Sequence, residues 1–211
     1  MSKYSSITIK KAMSNVASNK YLLPAIQRKF VWEIEQVEML FDSVLRNYPI
    51  NTFMFWKITD PNIKQNYKFY TFIKDFAKKF HEDNPDAPSQ LLDGDFYSVI
   101  DGQQRMTSLY IGLIGSYRIK RPSKRWKDNE DAMPTRILYL ELSSPLSSTI
   151  DNEKMYNFKF LTKDELNNDI SINPDHYWFQ VGDVLNFENL SDVNNYVMKN
   201  RLLSNTFAVS T

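Results

Sequence analysis

The residues best equipped for chemistry are Asp101, Gly102, Gln103, Gln104 and Arg105, an unbroken polar run between the β-branched pair Val99-Ile100 and a second apolar series, Met106, Leu109, Tyr110, Leu113 and Ile114. The second series recurs at helical spacing, so the pattern predicts a strand, a tight turn and a helix. Unpaired N–H groups and the positive end of the helix dipole project from such a turn. Glycine lets another group approach the backbone closely, and arginine adds a fork of donors for phosphate. The chemistry implied is the binding of an anion. A purely structural alternative stands beside it: Asp101 caps the helix, a position where Asp is preferred, and the glutamines are solvated.

Two further clusters carry candidate groups. Gln27 and Arg28 stand just before Phe30, Val31 and Trp32, and a second amphipathic series follows. Here the plainer reading is that Arg28 pairs with a nearby carboxylate and Trp32 plugs the core. Lys120, Arg121, Lys124, Arg125, Trp126 and Lys127 form a proline-containing basic segment that could track a phosphate backbone while Trp126 stacks on a base. Its alternative is a solvated loop neutralised by Asp128, Glu130 and Asp131. Other chemistries are excluded by inspection. No Gly-Lys pair exists for a Walker phosphate loop, and no lysine follows Asp or Glu at the spacing of the Asp/Glu-x-Lys nuclease core. His81 and His176 are isolated, and without cysteine there is neither a disulfide framework nor a thiolate metal site.

The elements that must position these groups follow from periodicity. Residues 7–19 suit an amphipathic helix, 21–23 a strand interrupted by Pro24, and 35–46 a helix with Val37, Leu40, Phe41, Val44 and Leu45 on one face. Residues 52–58 read as a buried strand, 68–73 as another, 75–80 as a short helix, and 91–100 as a hairpin around Asp93-Gly94-Asp95, where both carboxylates serve the turn. The helix after Arg105 is expected to run through Tyr117. Residues 136–142 and 158–161 read as strands, 143–148 as a link, Thr162 with Glu165 as a helix start, and 191–203 as helical. The 42% hydrophobic content is ample for a core. Twenty-six basic against twenty-five acidic residues leave a charge of +1, so any nucleic-acid binding must come from a local patch. No apolar run reaches bilayer length, and a cytoplasmic location without membrane contact is expected.

Residues 99–109 resemble the Asp-Gly-Gln-Gln-Arg signature of the N-terminal domain of GmrSD-like, modification-dependent restriction proteins, and residues 27–32 resemble the family's second signature. The resemblance implies an α+β (mixed α/β) fold of the ParB/sulfiredoxin-like kind, a small mixed sheet flanked by helices. It places a nucleotide-binding domain over residues 1–190 and the start of a helical extension or a truncated C-terminal region over 191–211. The activity it implies is binding or hydrolysis of a nucleoside triphosphate in defence against foreign, modified DNA. Partnership with a C-terminal HNH-type nuclease domain or subunit is implied too, and a homo-oligomer is allowed. Within that reading, Gln27, Arg28, Gly102, Arg105 and Thr107 hold phosphate, and two helix starts converge on one pocket. Asp101 holds a magnesium ion or orients water, and Gln103 or Gln104 positions that water. No nuclease motif occurs within these residues, so no cutting is expected of them. The alternative function is a non-catalytic DNA-binding module that uses the same turn to grip phosphates.

Overall fold

The computed structural model describes residues 4–26, 29–143 and 154–200. In chain order the elements are α1 (Ile9–Ala17), β1 (Tyr21–Pro24), α2 (Ile34–Leu45), β2 (Met54–Ile58), α3 (Pro61–Asn66), β3 (Phe69–Tyr70), β4 (Asp75–Ala77), α4 (Ser89–Leu92), β5 (Phe96–Asp101) and α5 (Gln103–Leu113). There follow β6 (Ser116–Arg118), β7 (Thr135–Glu141), β8 (Phe158–Leu161), α6 (Lys163–Ile172), β9 (Trp178–Gln180), a 3-10 turn (Val181–Asn186) and α7 (Leu190–Lys199). Local chemistry accounts for several boundaries. Thr8 caps α1, Glu33 with Gln36 and Thr162 with Glu165 form capping boxes, and Asn19 takes the left-handed conformation (φ 56°) after α1.

The fold is α+β with two mixed sheets where one was expected. The first runs β2-β5-β1-β3, with β1 and β5 parallel; the second runs β4-β6-β7-β8, with β9 also on β7. Between them lies α5, whose Met106, Leu109, Tyr110, Ile111 and Leu113 are buried with Val99 and Leu23 of the first sheet, Leu138 and Phe160 of the second, and Val37 and Phe41 of α2. A helix buried on every side needs no polar face, which is why its sequence is apolar well beyond one stripe.

Four expectations are corrected. Residues 75–77 form a strand, not a helix, because they pair in parallel with Ser116–Arg118 and the Ser116 hydroxyl donates to Asp75 Oδ1 at 2.8 Å. The helix of the central motif therefore stops at Leu113: a Cβ on Gly115 would lie 1.8 Å from the Lys74 carbonyl oxygen, an approach open only to glycine, and the chain turns there into β6. No hairpin forms over 91–100. Lys64 donates to the Gly94 carbonyl at 2.8 Å and Lys57 reaches Asp95 at 3.2 Å, while β5 takes its partners from β1 and β2 instead. Finally, β2 is an edge strand, with Met54 60% and Trp56 46% exposed, so its apolar run is only partly buried. Gln27, Arg28, 144–148 and everything beyond 200 lie outside the described residues, and with them the expected convergence of Arg28 on the pocket of Arg105 and most of the expected link. α7 joins the main core through Val197.

Candidate phosphate site at the start of α5

β5 delivers its last residue, Asp101, to the rim, and the backbone then reverses through Gly102 at φ 86°, a left-handed conformation that glycine adopts without strain. A Cβ there would lie 2.5 Å from Phe53 Cδ1, so Gly102 is required twice, by dihedral and by space. Asp101 does not cap the helix: its Oδ1 accepts from the Gly102 N–H at 2.8 Å, and the N-cap residue is Gly102, which has no side chain to offer. Consequently the backbone N–H groups of Gln103, Gln104 and Arg105 have no acceptor among the described residues. They open α5 at the wall of a cavity of about 210 Å³ lined by Trp32, Ile100 and residues 101–105.

Arg105 supplies the fixed positive charge. One of its Nη atoms donates to the Ile50 carbonyl, its Cζ lies 4.9 Å above the Phe53 ring, and the other Nη is 3.8 Å from Asp101 Oδ2. The guanidinium side chain is 17% exposed and the Asp101 side chain 68%, so their ion pair is weak while the arginine itself is held in place. The glutamines are not solvated. Gln103 is buried and donates from Nε2 to the Val99 carbonyl at 2.6 Å, bracing the strand-to-helix turn. Gln104 uses both ends of its amide: Oε1 accepts from Val31 N–H at 3.0 Å and Nε2 donates to the Lys29 carbonyl at 3.0 Å. It thereby fastens the segment after Arg28 to the helix start. Thr107 is buried one turn further on.

The basic segment is engaged largely with its own protein. Lys120 Nζ donates to the carbonyls of Arg121, Pro122 and Lys124 at 2.8, 3.1 and 2.8 Å, and Lys124 pairs with Asp131 at 2.8 Å. Arg121 reaches Asp164 at 3.9 Å, and Trp126 sits near the ammonium groups of Lys79 and Lys120. Arg125 and Lys127 form no ion pair among the described residues. Each histidine has a carboxylate partner, His81 with Asp128 and His176 with Asp169, both at 2.9 Å. The hydrogen bond to His81, and then the bond and charge of Arg118, hold the Asp128 carboxyl below its ordinary range. No group of three potential metal-binding side chains is found among the described residues.

Reasoning from sequence missed Ile50 and Phe53, which lie about a quarter of the chain away from Arg105 and carry no local signal of a role in the site. The pairing of Gln104 with Lys29 and Val31 had one signal, the closeness of the second signature to a helix start. Among the described residues no helix is long and apolar enough to cross a membrane.

An uncharacterized protein of Methanocaldococcus jannaschii is 29% identical over 131 residues, which cover 62% of this chain and 19% of that protein. This chain thus corresponds to about a fifth of that relative's length. A family profile described as "GmrSD restriction endonuclease, N-terminal domain" matches residues 9–208, nearly the whole chain, and the protein belongs to that family.

Proposed function

We propose that this domain binds and hydrolyses a nucleoside triphosphate at the start of α5, as the nucleotide-dependent sensor of a restriction protein directed at modified foreign DNA. The observation that carries the reading is the set of three uncapped N–H groups above Gly102, flanked by the immobilised Arg105. Backbone donors at a helix start hold phosphate oxygens, and a guanidinium held in advance neutralises charge that grows on a transferred phosphoryl group. Asp101 Oδ2, exposed at the rim, orients the attacking water or takes a magnesium ion. Gln103 and Gln104 act by keeping the donors in place, since their amides are committed to backbone partners. A magnesium ion accompanying the phosphates fits a single carboxylate completed by phosphate oxygens and water, and Asp101 would be that ligand. The nuclease partner and the ParB/sulfiredoxin-like relationship belong to the same proposal.

The test is phosphate release by the wild type, Asp101→Ala and Arg105→Ala, with folding checked by circular dichroism. Loss of a positioned charge at such a site lowers turnover by about a hundredfold or more. Equal release from all three, or none from a folded wild type with any nucleotide, would favour the non-catalytic DNA-binding alternative. Incubation of this chain with DNA and divalent metal should give no cleavage.

A further inference from the structure

The cavity at the start of α5 is too small for a whole nucleotide: its 210 Å³ falls below the roughly 300–1,000 Å³ of pockets that bury small-molecule ligands. It does not stand alone. Gln103 also lines a second cavity of about 350 Å³, whose other walls are Leu23, Pro24, Ala25, Lys29, Tyr70, Asp83, Asn84 and Asp86. The two differ in charge, since the carboxylates of the second are balanced by lysines. The first offers N–H donors and Arg105; the second presents two carboxylates at its mouth, Asp83 paired with Lys29 at 2.7 Å and Asp86 with Lys68 at 2.9 Å. A charge-balanced rim gives phosphate no net attraction, while carboxylate oxygens left over from the ion pairs accept from a neutral group rich in hydroxyl donors. Pro24 and Leu23 give an apolar wall, and Tyr70 a half-buried ring. Asn84 has its Oδ1 occupied by the Ile73 N–H at 3.1 Å, which leaves its Nδ2 as a donor.

Resting on the phosphate reading above, we propose that this second cavity is the nucleoside subsite. Ribose hydroxyls donate to Asp83 and Asp86, and the base lies against Tyr70 and Pro24 with Asn84 Nδ2 donating to a ring or carbonyl acceptor. Gln103 is the partition between the two subsites, so its hydrogen bond to Val99 sets their spacing as well as the turn.

Isothermal titration with inorganic tripolyphosphate, ribonucleoside triphosphates and the matching 2′,3′-dideoxynucleotides tests the two readings separately. The ribonucleotide should bind about tenfold or more tighter than tripolyphosphate, the gain expected from hydrogen bonds to charged groups. The dideoxynucleotide should lose most of that gain. Asp83→Asn/Asp86→Asn, near-isosteric changes of exposed side chains, should weaken the ribonucleotide without weakening tripolyphosphate. Equal affinity for ribonucleotide and tripolyphosphate, or an unaltered ribonucleotide affinity in the double variant, overturns the nucleoside subsite while sparing the phosphate site. Binding of neither ligand overturns both.

Discussion

Gly102 and Glu38 show how single residues set limits on this molecule. At Gly102 a methyl group meets both a left-handed dihedral and the Phe53 ring at 2.5 Å. Residues forced into such conformations cost about 1–3 kcal/mol, so Gly102→Ala should lower the urea midpoint accordingly and weaken the nucleotide binding proposed above as the turn shifts. A variant of unchanged midpoint would mean that the turn is soft. This requirement was legible in the sequence, since a glycine between a strand and a helix points to close approach; what it approaches was not, because Phe53 lies 49 positions earlier. Glu38 was invisible as a special residue, being one more acid on an amphipathic helix. It is buried on α2, accepts from the Phe160 N–H at 3.0 Å, and lies 3.5 Å from Lys154 Nζ. Burial is the largest influence on its carboxyl and raises the pKa above the ordinary 4.5, against the opposing pull of Phe160 and Lys154. The folded state thus holds this proton more tightly than the unfolded state does. The group's contribution to stability is complete below about pH 4.5 and is lost as pH rises through the raised folded value. Glu38→Gln keeps an acceptor for Phe160 and removes the titration, so its stability should fall less steeply than the wild type's as pH rises above 4.5. Parallel curves in urea titrations across pH would refute this.

At the scale of elements, Gln104 joins two stretches that sequence places far apart. Its amide reproduces the donor and acceptor of a strand neighbour, so the segment from Lys29 to Val31 pairs with a side chain as it would with a backbone. Gln104→Ala removes both bonds and leaves the Val31 N–H and the Lys29 carbonyl to water. Two hydrogen bonds of ordinary net worth amount to about 1–3 kcal/mol. Hydrogen exchange should therefore quicken at Val31 while the amide of Ile111, deep in α5, keeps its protection; slowed or unchanged exchange at Val31 would remove Gln104 from this role. The longer elements α1, α2 and β7, and the four-residue β8 with its alternating Phe158 and Phe160, were readable because burial of one face leaves its period in the residues. Short strands were not. β4 and β6 span three residues each, too few to display a period, and exist because they find one another across α5 and its flanking turns.

For the molecule as a whole, α5 is the shared interior of both sheets, and the site is built on its first turn. Val99 and Leu23 of one sheet and Leu138, Leu140 and Phe160 of the other belong to a single buried cluster with the apolar side chains of that helix. A ligand held at Gln103, Gln104 and Arg105 therefore pulls on an element that neither sheet can release alone. Cooperative unfolding is the consequence, and tryptophan placement makes it measurable. Trp56 lies on β2 of the first sheet and Trp178 on β9 of the second. Variants that retain only one of these fluorophores, the others changed to Phe, should give coincident denaturant transitions, the mark of two-state behaviour in a single domain. Ile111→Ala, at a site with no exposure, should cost about 2–5 kcal/mol and move both transitions together. Two separated midpoints, or a shift of Trp178 alone, would mean that the sheets are independent and that α5 belongs to only one of them. Binding at the start of the helix would then stabilise that one sheet rather than the whole domain.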